Sequence, residues 1–159
     1  MTDWADELHG LLLQLSGVMT RPDVDQRFLA RTGVKLDRAL FPLLTRIGAA
    51  APIGTVELAA LVGRDHSTVS RQVARLGDLG LVERRPSASD GRVRLLKPTA
   101  AGQLMLEEFA RTRRQLLQEH FSDWSDEERT QVLHLLGKMI AGIGDAISND
   151  REQDREPQA

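Results

Sequence analysis

Hydroxyl and long polar side chains are concentrated between Ser67 and Arg75. At the start of a helix, a hydroxyl can bond a phosphate or a base edge, while arginine can bind guanine O6 and N7 together. Glutamine can bind adenine in the same two-point fashion. These residue types are typical of a helix that enters a DNA major groove, although a polar surface helix would also carry them. The candidate contacts are Ser67, Thr68, Ser70, Arg71, Gln72 and Arg75.

A second basic group surrounds Asp90-Gly91, a dipeptide that favours a tight hairpin turn. Arginines on both sides of this turn would repel one another unless a polyanion lay beside them, and a narrow minor groove concentrates negative potential. Asp90 is expected to hold Arg92 through a charge-assisted hydrogen bond. The alternative is a solvated hairpin with Glu83 and Asp90 as local partners. The predicted contacts here are Arg84, Arg85, Asp90, Arg92 and Arg94.

The charge distribution sets this central region apart from the rest of the chain. The net charge is -2, yet residues 64–97 hold eight bases and four acids, or +4, which leaves -6 elsewhere. A basic module in an acidic frame is expected when one face meets phosphate. The competing hypothesis, a winged-helix protein-interaction module without sequence-specific DNA binding, gives no reason for this concentration of bases.

Apolar spacing predicts helices before this module. An amphipathic helix from Trp4 through Val18 should end near Arg21-Pro22, followed by a short helical turn over residues 25–30. A further helix, capped by Asp37, should stop at Gly48. Pro42 either bends that helix or begins its regular part.

The central module should contain two short helices and one hairpin. Thr55 is expected to cap the first helix and Gly63 to end it, and Asp65 is expected to cap the second. Strand-like segments over 81–87 and 92–96 then form the only sheet of any size that the sequence predicts.

The C-terminal part should be helical. Thr99 caps a long helix that runs toward Phe121, and Ser125 with Glu128 forms a capping box for the last helix. That helix is apolar over too wide an arc for a solvated surface, and the stripe on the first helix likewise needs a partner. The polar segment 149–159 is expected to be disordered.

Several short motifs resemble the MarR family of bacterial transcriptional regulators. The D-x-R wing followed by T-x-x-G is the most specific of them, and the resemblance extends over nearly the whole chain. Lys97-Pro98 departs from the family's usual leucine before the threonine. The matching segments are residues 55–59, 67–71, 76–82, 90–92, 99–102 and 124–129.

The resemblance implies a homodimer whose N- and C-terminal helices intertwine and present two winged modules to a pseudo-palindromic operator in double-stranded DNA. It implies that Arg92 enters the minor groove, and that the protein is a repressor released by a small, often aromatic effector. The candidate effector contacts compete with plain core or interface roles, above all for Trp4 and Phe41. These candidates are Trp4, His9, Phe41, Arg46 and His120.

The predicted fold class is mainly α with a small β-hairpin wing. Its parts are an N-terminal dimerisation helix and connector (1–35), a winged helix-turn-helix domain (36–98), C-terminal dimerisation helices (99–148) and the tail (149–159). The absence of cysteine excludes thiol chemistry, and the four histidines lack metal-ligand spacing, so no cofactor or metal is expected. Without a catalytic motif, signal peptide or membrane span, we expect a cytoplasmic protein that is not an enzyme.

Overall fold

A computed structural model describes residues 3–87, 89 and 93–153. It confirms the predicted fold class, since helices dominate and the sheet is small and antiparallel. The chain divides into two compact units, residues 1–116 and 117–159. The helices are α1 Trp4–Met19, α2 Pro22–Thr32, α3 Phe41–Ala50, α4 Thr55–Val62, α5 His66–Asp78, α6 Ala100–His120 and α7 Asp126–Gln153. The strands are β1 Ile53–Gly54, β2 Val82–Pro86 and β3 Arg94–Pro98.

The second and third helices differ from the expectation at their starts. α2 is a full helix rather than a short turn, because Pro22 occupies its first turn with two acids and Gly33 ends it at φ 68°. α3 begins beside Pro42 and continues past Gly48 to Ala50. The Asp37 carboxylate accepts from the Ala39 amide at 2.8 Å, so it caps the turn before α3 rather than the helix itself.

Of the two N-terminal caps predicted for α4 and α5, one forms and the other does not. Thr55 is the first residue of α4 and makes no cap hydrogen bond there, so the predicted Thr55 cap is wrong. Gly63 ends α4 in the left-handed region at φ 62°, as expected. Asp65 caps α5, and Val69, Val73 and Leu76 are buried beneath it.

The sheet has three strands in the order β1-β3-β2, where only a hairpin was expected. Ile53 of β1 is fully buried and pairs with Leu96 of β3. Two residues are too few to show an alternating pattern, which is why the sequence did not reveal β1. β3 continues through Pro98, where it pairs with Val82 at the end of the ladder.

Among the described residues, one hydrophobic core cluster holds α5 and the sheet in place. Its fully buried members include Leu43, Ile47, Leu58 and Val69. Burying such side chains stabilises a fold by about 1.5 to 3 kcal/mol each. The surface that α5 and the sheet present is therefore fixed by packing underneath it.

Residues 117–159 form the second unit. Ser125 and Glu128 make both hydrogen bonds of the predicted capping box, with the Ser125 amide 2.7 Å from Glu128 Oε2 and the Glu128 amide 3.2 Å from Ser125 Oγ. α7 continues to Gln153, which corrects the expectation of disorder from residue 149, because no glycine or proline interrupts the chain over 145–153. Among the described helices, none is both long and apolar enough to cross a membrane.

Candidate nucleic-acid interface

The first turn of α5 is organised by Asp65. Its carboxylate accepts from the Thr68 amide at 2.8 Å and from the Ser67 hydroxyl at 2.6 Å. These hydrogen bonds, led by that from Ser67, hold the pKa of Asp65 far below its usual range. Because Ser67 donates its hydrogen to Asp65, its oxygen remains available to a partner as an acceptor.

Arginine side chains occupy the face of α5 that points away from the core. Arg71 and Arg75 are exposed, as is Ser67 one turn before Arg71. Nη2 of Arg71 donates to Thr68 Oγ1 at 3.3 Å, which steadies one side of its guanidinium. Thr68 and Ser70 are half-buried on the flanks of the helix. The structure thus brings three of the six predicted α5 residues to the exposed face of the helix and leaves the other three on its flanks.

Gln72 has different surroundings. It is half-buried, and its Oε1 accepts from Nη1 of Arg64 at 3.3 Å. The same Nη1 lies 3.4 Å from the Ala39 carbonyl oxygen. Gln72 therefore lies toward the inner flank of α5. This position favours its contact with Arg64 over the two-point contact with adenine that the sequence suggested.

Strand register separates the wing arginines. Arg84 lies opposite Leu96 and Arg94 lies opposite Pro86, so Arg84 and Arg94 share the sheet face that holds buried Leu96. Both arginines are exposed, since they lie beyond the edge of the core. This face presents two positive charges on adjacent strands.

Arg85 lies on the opposite face of the wing and is engaged locally. It donates from Nε to Glu83 Oε1 at 2.8 Å and from Nη2 to Oε2 at 3.2 Å, within one strand. The Glu83 carboxylate raises the pKa of Arg85. The local pairing considered in the alternative hypothesis thus applies to Arg85. Asp90 and Arg92, the predicted tip residues, lie outside the described residues.

A hydrogen-bonded corner joins the wing to α6. The Thr99 amide donates to Leu81 O at 3.0 Å, the Thr99 hydroxyl donates to Gly80 O at 2.5 Å, and the Gly102 amide donates to Thr99 Oγ1 at 3.1 Å. A Cβ atom added to Gly102 would come within 2.0 Å of Leu81 O. The T-x-x-G motif therefore fixes the base of the wing, and Thr99 caps α6 as predicted.

The four candidate effector contacts in the first unit do not line one described pocket. Phe41 packs against the core, where its ring centroid lies 5.3 Å from that of Phe28 and 5.1 Å from that of Phe109. Trp4 and His9 on α1 and Arg46 on α3 are exposed, and His120 belongs to the second unit. Phe41 is thus partly buried against the core, which favours the competing interpretation.

A cavity of about 300 Å³ does lie between α3 and α6. Apolar groups of Leu106 and Phe109 line it together with Thr45, and Glu107 and Arg113 add opposite charges. None of the five predicted effector contacts is among its lining residues. Within the described part of the chain, no group of three or more histidine and acidic residues is placed to hold a metal ion.

Two arginines beside α5, Arg38 and Arg64, were not among the predicted contacts, although Arg64 lies within the basic module. The structure places both beside α5, in a cleft that also holds Thr68 and Gln72. The sequence signal for these two arginines was weak, because Arg64 precedes the α5 cap and Arg38 lies in a turn before α3.

Comparison with known proteins gives a consistent result. The MarR family model matches residues 36–93. YxaD, an uncharacterized HTH-type transcriptional regulator of Bacillus subtilis, is 34% identical over 109 residues, which cover 69% of this chain and 76% of that protein. Apo wild-type MarR of E. coli has a TM-score of 0.62 and 27% identity over 82% of this chain and 94% of that one. BldR of Sulfolobus solfataricus, a transcriptional regulator, has a TM-score of 0.66 and 25% identity over 88% and 99%.

A core-supported helix with an exposed arginine face and a hairpin wing beside it define a DNA-binding winged-helix protein. The chain belongs to the MarR family of transcriptional regulators. It is accordingly a regulator and not an enzyme.

Proposed function

We propose that this protein is a homodimeric repressor that binds a pseudo-palindromic operator, with α5 in the major groove and the wing beside it. One observation carries the proposal: the rigidly supported α5 presents Ser67, Arg71 and Arg75 on its outer face. Arg84 and Arg94 share one face of the neighbouring wing. By the family resemblance, Arg92 and Asp90 complete the wing contact.

The proposed readout follows from the hydrogen-bond partners on α5. Arg71 offers donors, which suit guanine O6 and N7. Ser67 offers an acceptor, because its hydrogen bonds Asp65, and this suits the amino group of adenine or cytosine. Arg75 is one turn further along α5, where a phosphate contact would fix the register of the helix.

Exposed apolar surface on the terminal helices supports the dimer. Trp4, Leu11 and Val18 form a stripe on α1, and α7 exposes Leu133 and Ile140, at 72% and 67% of their full surface. Side chains of this size are seldom left in water over a whole helix face. A second copy of the chain would cover them, and a dimer would bind both half-sites at once.

We also propose that a small aromatic effector releases the protein from DNA. The cavity between α3 and α6 supports this proposal, since its size is at the lower end of ligand sites in proteins. Arg113 on its lining suits a ligand with an acidic group. We propose that the protein acts in the cytoplasm, where its operator would be.

The wing gives the first test. Arg84→Ala and Arg94→Ala are each expected to make the dependence of log Kobs on log salt concentration shallower by about 0.9, the value for one phosphate contact. Arg85→Ala provides a matched comparison with a smaller expected effect, because Glu83 already neutralises Arg85. Titration of a labelled duplex at several salt concentrations measures the three slopes. Equal slopes for all three variants and the wild type would contradict the wing assignment.

A protein-interaction role without sequence-specific DNA binding is the remaining alternative. Under that role, binding to every duplex would be weak and insensitive to these three substitutions.

A further inference from the structure

A polar cleft of about 370 Å³ runs along the inner flank of α5. Arg38 from the turn before α3 and Arg64 from the segment before α5 contribute two positive charges to its lining. Thr68 and Gln72 of α5 and Asp25 of α2 also line it. None of these residues belongs to the exposed face of α5 that was assigned to base reading, so the cleft is a separate feature.

Arg64 is held in this cleft by its neighbours. Its Nη1 makes two hydrogen bonds, one to Gln72 Oε1 at 3.3 Å and one to Ala39 O at 3.4 Å. A guanidinium has five N–H donors, so Nη2 and Nε can still bind an anion through two parallel hydrogen bonds. Gln72 is therefore a positioning residue, because its hydrogen bond holds the Arg64 guanidinium in place.

The Asp25 carboxylate interacts electrostatically with the same two arginines. Partial burial raises the pKa of Asp25, while Arg38 and Arg64 act in the opposite direction. With two positive charges and one negative charge, the lining retains a net charge of +1. An incoming phosphate would compete with Asp25 for the guanidiniums.

We propose that Arg38 and Arg64 bind a backbone phosphate of the DNA strand that borders the major groove occupied by α5, and that Asp25 weakens this contact. The inference rests on the proposed function, because it requires α5 to lie in the groove. In helix-turn-helix proteins, elements that precede the recognition helix cross the DNA backbone, and such phosphate contacts set the register without reading sequence. The cleft lies beside α5 at the level of Thr68, in its first turn.

The test uses the full-length protein with two labelled duplexes, one obtained by selection from a random pool and one of scrambled sequence. Arg38→Ala and Arg64→Ala are each expected to weaken binding to both duplexes by a similar factor, and to make the salt slope shallower by about 0.9. Arg64→Lys should keep most of the slope, because it keeps the charge. Asp25→Asn should tighten binding to both duplexes.

Gln72→Ala tests the positioning role. It should reproduce part of the loss seen for Arg64→Ala on both duplexes, with base preference unchanged at every operator position. A changed preference at one base pair would make Gln72 a base reader and overturn this role.

Arg27→Ala is the matched control. Arg27 is on α2 with Asp25, its side chain is 83% exposed, and its neighbour is Asp23 outside the cleft. This variant loses the same charge and should keep the wild-type slope. Circular dichroism of each variant before titration confirms that the fold is retained.

Wild-type slopes for Arg38→Ala and Arg64→Ala, or a loss restricted to the selected duplex, would overturn the phosphate proposal. If Arg94→Ala is still shallower than wild type in the same experiment, the proposed function stands and only the cleft assignment fails. If the wild-type protein binds neither duplex in a salt-dependent manner, the proposed function fails and the cleft assignment fails with it.

Discussion

Replacing Leu133 and Ile140 together with glutamate is expected to convert the proposed dimer to a monomer. Both side chains are exposed on one face of α7 in the single chain, so neither contributes to the buried core. In a dimer, two added carboxylates would be buried in apolar surroundings without partners, which costs far more than the apolar contact contributes. Light scattering across a concentration series measures the change.

The same substitution is expected to weaken operator binding strongly. A dimer that contacts two half-sites exceeds the affinity of one module by about 10² to 10⁴ through effective concentration alone. The double variant should lose about that factor on the full operator and little on an isolated half-site. Comparison of the two duplexes separates this effect from a damaged DNA-binding face.

Gln131→Glu with Ala141→Glu is the matched control for the dimer prediction. It adds the same two charges to α7 at exposed positions, with Gln131 on the side of the helix opposite Leu133 and Ile140 and Ala141 about a quarter turn away from them. The control should remain dimeric and bind the operator as the wild type does. A wild-type protein that is monomeric at micromolar concentration would contradict the proposed dimer outright.

Gly102→Ala has the largest expected effect on stability. The new methyl carbon would lie 2.0 Å from Leu81 O and 3.0 Å from the Leu81 carbonyl carbon, and these are backbone atoms that cannot rotate away. Relief of the clash must displace α6 or the start of the wing, which breaks the Thr99 bonds to Leu81 and Gly80. We expect the free energy of unfolding to fall by about 3 kcal/mol, at the upper end for overpacking. Chemical denaturation measures it.

Gly77→Ala provides the comparison for this stability measurement. Gly77 is in α5, and an added Cβ would come no closer than 3.8 Å to Val82 O, which is ordinary contact. Because alanine favours a helix over glycine by up to about 1 kcal/mol, this variant should be as stable as the wild type or more so. An unfolding free energy for Gly102→Ala equal to that of Gly77→Ala would contradict the close approach at the corner.

Local sequence signals predicted the features whose hydrogen-bonding partners lie close together in the sequence. The Asp65 cap, the Ser125 and Glu128 capping box and the Thr99 cap each depend on residues within four positions of one another, and all three form. Buried Val69, Val73 and Leu76 follow directly from helical spacing. Short-range rules suffice for such features.

Features that depend on distant partners were missed or misassigned. β1 exists because Ile53 meets Leu96 from far along the chain, and Gln72 faces Arg64 because α5 packs with that flank toward α2 and α3. Strand pairing likewise decided that Arg84 of β2 and Arg94 of β3 share one face of the wing. In each of these cases, tertiary packing decided which way the residue faces.

Selection of duplexes from a random pool by the wild-type protein, followed by binding of Arg71→Ala to the selected site and to scrambled DNA, tests the central claim most directly. We predict an enriched pseudo-palindrome with half-sites about one helical turn apart. Arg71→Ala should lose about 1 to 3 kcal/mol on that site and almost nothing on scrambled DNA. A pool that remains random after selection, or an equal loss on both duplexes, would contradict base reading by α5.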